Sequence, residues 1–276
     1  ICGGATRDSM EISIVILSYK MKRLVKNCIR AIQESNIDVP YEIIVVDNAS
    51  DDGIEEMMRE RFPDIRLIVS DSNLGMGGGN NLGIREAQGK YVLVMNPDIF
   101  VFENSIQKMY NYIKKHTEIG LLSPRLLNPD RTLQFTCYRW HEPLTPLYRR
   151  TFLGKLPWAR RQIDHFLMKD FDHQQTREVD WCQGSCFMVP KAVFDEIGLF
   201  DEDFFMYFED TDLCRRMWQA GYKVVYFTET EVIHMHMRMS RGGLLKILTN
   251  KLTRAHIRSW IKYILKHRAE PRPPRH

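Results

Sequence analysis

Four short apolar runs, each of strand length and each separated from the next by a helical pattern, constrain this chain more than any other feature. They are Ile12–Leu17 (ISIVIL), Glu42–Val46 (EIIVV), Ile65–Val69 (IRLIV) and Tyr91–Met95 (YVLVM). Nearly continuous Val, Ile and Leu is the composition of strands buried on both faces, whereas a strand with one wet face alternates. Between the runs, Leu24–Ile32 places Leu24, Cys28, Ile29 and Ile32 at helical spacing, and Ile54–Phe62 and Asn80–Gln88 are predicted helices. Strand and helix alternating in this way predict a parallel sheet with helices on both faces. Glu103–His116 is a further predicted helix.

From Leu126 to Lys169 the pattern fails. Prolines, tryptophans and seven Lys/Arg between Arg139 and Lys169 predict a long, partly mobile loop. Regular elements return with strands in Glu178–Pro190, helices at Lys191–Ile197 and Asp210–Ala220, and a strand at Tyr222–Phe227. A basic amphipathic helix is predicted for Leu244–His267.

The chain's 276 residues suit one large α/β unit. Its 44% hydrophobic and 27% charged residues are those of a soluble globular protein. No apolar run reaches the ~18 residues that span a bilayer, and no signal peptide precedes the first strand. Residues 1–9 precede a Met10 that reads as a start, and are set aside as extraneous or disordered. The six cysteines, 2, 28, 137, 182, 186 and 214, form no disulfide framework for a chain this long, so reduced cytoplasmic thiols are expected. Cys182 and Cys186 lack the second pair a zinc site needs, so packed thiols are expected there. The net charge of +4 conceals an asymmetry: eleven Lys/Arg and one acid from Arg238 onward give +10, leaving −6 on residues 1–237. Such a tail suits an anionic partner, a membrane surface or a nucleic acid; the tail alone supports the nucleic acid, which is not expected.

Polar clusters follow the predicted strands. After the second comes VVDNASDDG, with Asp47 and Asn48 at the strand end and Asp51 in the turn beyond. Carboxylates there can accept from a ribose hydroxyl or a base N–H, and the same residues serve turns and helix caps. Next comes SNLGMGGGNNLG, residues 72–83, which fails the dinucleotide fingerprint because Asn80 stands where the third glycine belongs. It remains a glycine-rich turn opening a helix, suited to close approach by a nucleotide's backbone. The fourth run breaks at Asn96-Pro97-Asp98. Proline is poorly tolerated in a central strand, so Asp98 is expected just past the strand's end, where open α/β sheets bind ligands. There it is either a ligand to a hard cation or an Asx-turn former.

Further on, FDEDFFMYFEDTDLCRR (200–216) sets six acids among aromatics. These suit an acidic helix N-terminus, with Asp212 pairing Arg215 or Arg216, or a desolvated general base. VIHMHMRMS (232–240) places His234 and His236 after a strand.

In their order, the strand ending Ser18-Tyr19, VVDNASDDG, NLGMGGGNNLGI, LVMNPD, the long DWCQGSCFMVP…FEDTDLCRRMWQAGYKVVY block and VIHMHMRMS closely resemble the family 2 glycosyltransferases, in particular their rhamnosyltransferase-like branch. The resemblance covers Met10 to Ser240. It implies the A-type glycosyltransferase fold: a Rossmann-like, mostly parallel central sheet flanked by helices. It divides the chain into a nucleotide-sugar-binding half (10–125), an acceptor-binding and catalytic half (126–240), and a basic C-terminal helix and tail (241–276). By resemblance, Ser18, Tyr19, Asp47, Asn48 and Asp51 contact the base and ribose of a nucleotide sugar, and Asn73, Gly75 and Asn80 lie along base and diphosphate. Asp98 answers to the last acid of the family's D-x-D motif, which holds Mg²⁺ or Mn²⁺ on the diphosphate. Asn96 stands where many members carry the first acid, a departure that weakens bidentate carboxylate binding of the metal. His234 is implied as second metal ligand and Asp210 as catalytic base. Trp181, Gly184, Ser185 and Glu209 are implied to line the donor-sugar and acceptor cleft.

The implied reaction is inverting transfer from a dTDP- or UDP-sugar, with rhamnose or a related hexose as cargo. The implied acceptor is a glycan or polyprenyl-linked sugar of cell-surface polysaccharide synthesis, met in the cytoplasm or at the inner face of the plasma membrane. Alternative readings are a nucleotidyltransferase and a non-catalytic sugar-nucleotide-binding subunit. Arg254, Arg258, Lys262 and Lys266 recur every four residues, along one helical stripe that either meets an anionic leaflet or is simply solvated.

Overall fold

All four apolar runs form strands, and all pair in parallel. The computed structural model describes residues 10–142, 144–235 and 251–270. Its first half runs β1 (Ile12–Ser18), α1 (Lys22–Glu34), β2 (Tyr41–Asp47), α2 (Ile54–Arg61), β3 (Arg66–Val69), α3 (Gly75–Glu86) and β4 (Tyr91–Met95). β2 and β4 flank β1, and β3 pairs with β2. Ile12, Ile14, Val15 and Ile16 are wholly buried, as two-faced burial requires. α1, α2 and α4 (Ser105–Lys115) cover one face of the sheet. α3, α7 (Lys191–Ile197) and α8 (Glu209–Gln219) cover the other. Each fully buried Ile, Leu or Val contributes about 2 kcal/mol of apolar transfer, before the chain entropy that opposes it.

The second half completes the same sheet. β5 (Ile99–Val101), β6 (Ile119–Leu127), β10 (Cys186–Pro190) and β11 (Lys223–His234) extend it in the order β3-β2-β1-β4-β10-β6-β11-β5, with the short β8 (Arg177–Glu178) beside β11. β10 runs antiparallel to β4, and β11 parallel to β6. Residues 96–98 alone join β4 to β5, a reach of ~14 Å at most from Met95 to Ile99, yet three strands separate the two in the order. The sheet therefore curls. β11 has an irregular register between Phe227 and Glu231, and its last residues return to pair with β5, His234 opposite Ile99.

Two expectations need correction. The segment 126–169 is not a long loop: it holds β7 (Cys137–Tyr138), α5 (Thr145–Arg150), a 3₁₀ turn at Phe152–Lys155 and α6 (Pro157–Phe166). Pro146 and Pro157, taken as breakers, sit at the first positions of α5 and α6, where a missing N–H costs nothing. α3 begins at Gly75 rather than Asn80, because its glycines hide a helix that tertiary packing stabilises. Three of those glycines let neighbouring protein approach closely. A Cβ on Gly79 would stand 2.5 Å from Leu17 Cδ1, and one on Gly83 2.4 Å from Val15 Cγ1. At Gly75, whose φ of +77° also favours glycine, the Cβ would lie 2.0 Å from the Phe205 carbonyl oxygen.

α9 (Lys251–His267) packs on the 204–208 segment, with Trp260 and Tyr263 against Phe204 and Phe208. The expected start of this helix at 244, residues 1–9 and His236 lie outside the described residues. β9 (Trp181–Cys182) pairs with β7. Cys182 and Cys186 are free, buried thiols, and burial pushes Cys186 up to about 12.

Candidate active site

The carboxyl ends of β1, β2 and β4 carry the first group of expected residues. Ser18 ends β1 and Asp47 ends β2, side by side in register. Asp47 accepts from the Ser50 N–H at 3.2 Å, the Asx-type turn its sequence suggested. Ala49 and Asp51 take left-handed backbone, φ +61° and +48°, which folds this turn tightly over the strand ends. Asn48 is wholly committed: its side-chain oxygen accepts from the Leu74 N–H at 2.8 Å, and its amide donates to Gly75 O at 3.0 Å and Asn73 Oδ1 at 3.1 Å. Asn48 and Asn73 thus fasten the glycine-rich turn to β2. Tyr19 and Asp51 are exposed beside them. Asn80 donates to Met76 O, while its buried Oδ1 has no partner.

Asp98 and His234 meet through the β5–β11 register. His234 Nε2 lies 3.4 Å from Asp98 Oδ2, and the Met235 N–H donates to Asp98 O at 2.9 Å. Gln134 Oε1 stands 2.7 Å from His234 Nδ1. A proton on Nδ1 satisfies Gln134 and turns the Nε2 lone pair towards the Asp98 carboxylate. Two electron-rich atoms at that distance need a proton or a cation between them, and Asp98 Oδ1, buried, has no partner at all. The pair therefore fits a hard divalent cation that completes its shell with phosphate oxygens and water, with Gln134 orienting the imidazole from behind. No group of three or more His, Cys, Asp or Glu side chains placed to hold a metal ion occurs among the described residues, so protein side chains supply only part of such a shell. Asn96 lies at the same strand end, its N–H donating to Ser185 O at 2.8 Å.

That bond joins the second group to the first. The Gly184 N–H donates to Asp210 Oδ2 at 3.0 Å, and the Thr211 N–H to Asp210 Oδ1 at 2.8 Å. A Cβ on Gly184 would sit 3.3 Å from Asp210 Cβ, so the missing side chain allows this approach. Burial raises Asp210 above the ordinary carboxylate value, opposed by those two hydrogen bonds. Burial, and then the neighbouring Asp210 charge, hold Glu209 well above its ordinary value. The buried Ser185 Oγ and Glu209 Oε2 also lack partners. Both acids occupy the first turn of α8, where the helix dipole favours negative charge.

The chain enters α8 through two consecutive left-handed aromatics, Tyr207 (φ +69°) and Phe208 (φ +70°). Each costs about 1–2 kcal/mol. Packing holds them there: Phe208 lies 5.3 Å from the Tyr263 ring, and Tyr207 4.7 Å from His256. Trp181 stacks on Tyr138 at 4.3 Å and donates to Arg139 O at 3.0 Å. His141 packs between Trp181 and Phe208, and burial keeps it well below its ordinary pKa.

Sequence reasoning missed Gln134, Tyr138 and His141, all in the segment taken as loop. Behind α8 the expected Asp212–Arg216 pair forms, but the partners from α9 were missed. Asp212, fully buried, accepts from Arg216 Nε at 2.8 Å, Lys266 Nζ at 2.7 Å and His267 Nε2 at 2.8 Å. Burial alone would raise Asp212; His267, Arg216 and Lys266 outweigh it and bring it down to about 2.

The fold is that of an A-type glycosyltransferase, and residues 13–198 match the model of glycosyl transferase family 2, with 141–266 matching a glycosyl transferase family group 2 model. The chain belongs to glycosyl transferase family 2. It is 32% identical over 231 residues to the low-salt glycan biosynthesis hexosyltransferase Agl10 of Haloferax volcanii, spanning 81% of this chain and 67% of that one. It is 31% identical over 214 residues to the N-acetylglucosaminyl-diphospho-decaprenol L-rhamnosyltransferase of Mycobacterium tuberculosis, spanning 74% of this chain and 69% of that one. Among solved structures, GalNAc-T7 with UDP, GalNAc and Mn²⁺ superposes with a TM-score of 0.67 at 13% identity, over 94% of this chain. The match takes in about half of that longer protein, 48%.

Proposed function

We propose that this chain is an inverting, metal-assisted hexosyltransferase that moves rhamnose or a related sugar from a dTDP- or UDP-sugar to a lipid-linked glycan acceptor. The observation that carries the reading is a set of buried polar atoms without partners: Ser18 Oγ, Asn80 Oδ1, Asp98 Oδ1, Ser185 Oγ and Glu209 Oε2. Each costs about 1–3 kcal/mol unless something satisfies it. All five belong to the strand ends, α3 and the start of α8 described above, where a bound donor and acceptor would supply the missing partners. The relatives' hexosyl- and rhamnosyltransferase activities support the same assignment.

In this reading Asp47, Asp51 and Tyr19 meet the base and ribose, while Asn48, Asn73 and Gly75 act chiefly by shaping the turn around them. Asn80 and Asn96 lie towards the diphosphate. Asp98 and His234 hold Mg²⁺ or Mn²⁺, which when bound offsets charge on the leaving diphosphate. Asp210 takes the proton from the acceptor hydroxyl as that oxygen attacks the anomeric carbon. Its raised pKa suits a base working near neutrality. Glu209, whose pKa burial raises, keeps its proton more readily than an ordinary carboxyl and with it can donate a hydrogen bond without adding a second negative charge beside the base. Trp181, Gly184 and Ser185 border the sugar, with the Trp181–Tyr138 stack as an apolar wall. The cytoplasmic face of a membrane is where such a donor and acceptor meet.

The test is a thermal-shift panel of nucleotide sugars with and without Mn²⁺, on wild type and Asp98→Ala. Wild type should be stabilised by one donor in a metal-dependent way, and the variant should lose the metal-dependent part while folding normally. A variant that retains it removes Asp98 from the metal.

A further inference from the structure

α9 has two dissimilar sides. Thr253, Ser259, Tyr263 and His267 face the protein and are buried. On the outer side Arg254, Arg258 and Lys262 follow one another at four-residue spacing and line a single cavity of about 470 Å³ together with Asp203, Phe205, Ala255 and Ser259. The expected four-residue stripe is thus divided. Lys266 is drawn inward to Asp201 at 2.6 Å and Asp212 at 2.7 Å, while Arg254 and Arg258 have no ion-pair partner among the described residues. Three cations and the one Asp203 carboxylate, which lies 3.8 Å from Lys262, leave the cavity with a charge of +2.

One to three turns further along α9, Ile261, Ile264 and Leu265 are 50%, 42% and 55% exposed. At 100° per residue, Ile261 and Leu265 project within about 20° of Arg254. The outer face therefore carries Arg254 and Arg258 over its first turns and, from Ile261 on, exposed apolar residues interleaved with Lys262, along ~16 Å of helix. Phe205, 43% exposed, forms the cavity's other wall. Its backbone carbonyl accepts from the Met76 N–H at 2.9 Å, and it stands five residues before Asp210. None of the residues assigned to the donor lines the cavity.

We propose that this cavity is the receptor for the diphosphate of a lipid-linked acceptor, with Arg254 and Arg258 on the phosphates, Lys262 beside them and the start of the hydrocarbon chain over Ile261 and Leu265. The inference rests on the glycosyltransferase reading and adds to it where the acceptor is held. A diphosphate bridging a sugar and a prenyl chain carries two negative charges, matching the +2 of the cavity. Arginine suits phosphate through its paired N–H donors. The recess selects a discrete headgroup over a flat leaflet, which cannot enter a pocket walled by Phe205 and α9. Two arginines at one end of this face and exposed apolar residues beside Lys262 at the other suit the two parts of a prenyl diphosphate.

Farnesyl diphosphate serves as the probe, titrated in the presence of excess dTDP, UDP and Mg²⁺ so that the donor site is filled. Wild type should bind it, R254E/R258E should bind it at least tenfold more weakly, and farnesol should bind neither. R254Q/R258Q replaces the first variant if thermal melting shows that the charge reversal impairs folding. Equal affinity of wild type and variant, or equal binding of farnesol and its diphosphate by wild type, overturns the inference. So does charge-dependent binding to phosphatidylglycerol vesicles without binding of farnesyl diphosphate, which would make the face a membrane anchor. Donor binding and hydrolysis by wild type are measured separately. Their absence would defeat the glycosyltransferase reading, whereas their presence with no farnesyl diphosphate binding defeats only the acceptor site.

Discussion

The two faces of α8 carry aspartates two residues apart with opposite electrostatic fates. Asp210, towards the cleft, meets only neutral donors, the Gly184 and Thr211 N–H groups and the Thr211 hydroxyl, and burial raises its pKa. Asp212, on the far face, accepts from Arg216, Lys266 and His267 and falls to about 2. Residues two apart on a helix point about 200° from each other, so one turn of sequence delivers one carboxylate to each environment. Neutral donors leave Asp210 basic enough to accept a proton. Charged partners make Asp212 a permanent anion that ties α9, through Lys266 and His267, to the helix bearing the proposed base. The acidity needed for chemistry and the charge needed for assembly thus come from one residue type, separated by what packs on each side.

Removing the far-face charge should have the largest effect. Asp212→Ala removes the buried acceptor shared by Arg216, Lys266 and His267, of which only His267 is itself buried, and should cost about 3 kcal/mol, read as a fall in the urea midpoint with α9 becoming protease-sensitive. A loss within 1 kcal/mol would mean that the network adds little. On the cleft face Asp210→Asn should leave the melting temperature within a few degrees and the donor affinity unchanged, while turnover falls ~10²-fold or more, the scale of a lost general base. Turnover within a few-fold of wild type would move that role to Glu209.

Acid titration sharpens the contrast because the faces respond with opposite sign. Asp212 has a folded pKa below its unfolded value, so its contribution is full above about pH 4 and is lost as the pH falls through its folded value of about 2. It should amount to about 2 kcal/mol and be absent in Asp212→Asn, measured as the acid limb of stability against pH. Glu209 has a folded pKa above its unfolded value, so its charge weakens the fold as the pH rises through that range. The smallest effect follows: Glu209→Gln should melt no lower than wild type at neutral pH, and its stability should fall less between pH 4 and 7. A clear destabilisation at neutral pH would show that the ionised carboxylate has a partner in the fold.

The parallel sheet and the position of its ligand-bearing edge were legible in the chain alone, because two-faced burial is written in consecutive residues. Runs such as Ile12–Leu17 and Tyr91–Met95 state it locally, and the polar clusters at Asp47 and Asp98 begin where the apolar runs stop. The helices of 126–169 were not legible: α5 has six residues and α6 ten, too short for a clear period, and their initiating prolines imitate breakers. The glycines of α3 mislead similarly, since their reason lies in Leu17, Val15 and Phe205, on other elements. Tertiary structure alone decided the partners. Gln134 reaches His234 across 100 residues, Asp212 reaches His267 across 55, and the β5–β11 register sets His234 beside Asp98. It also divided the basic stripe of α9, turning Lys266 inward and leaving Arg254 and Arg258 on the cavity. A side chain's type and its local period are properties of the sequence around it, but its hydrogen-bond partner and its pKa are properties of whatever the fold brings within about 3 Å.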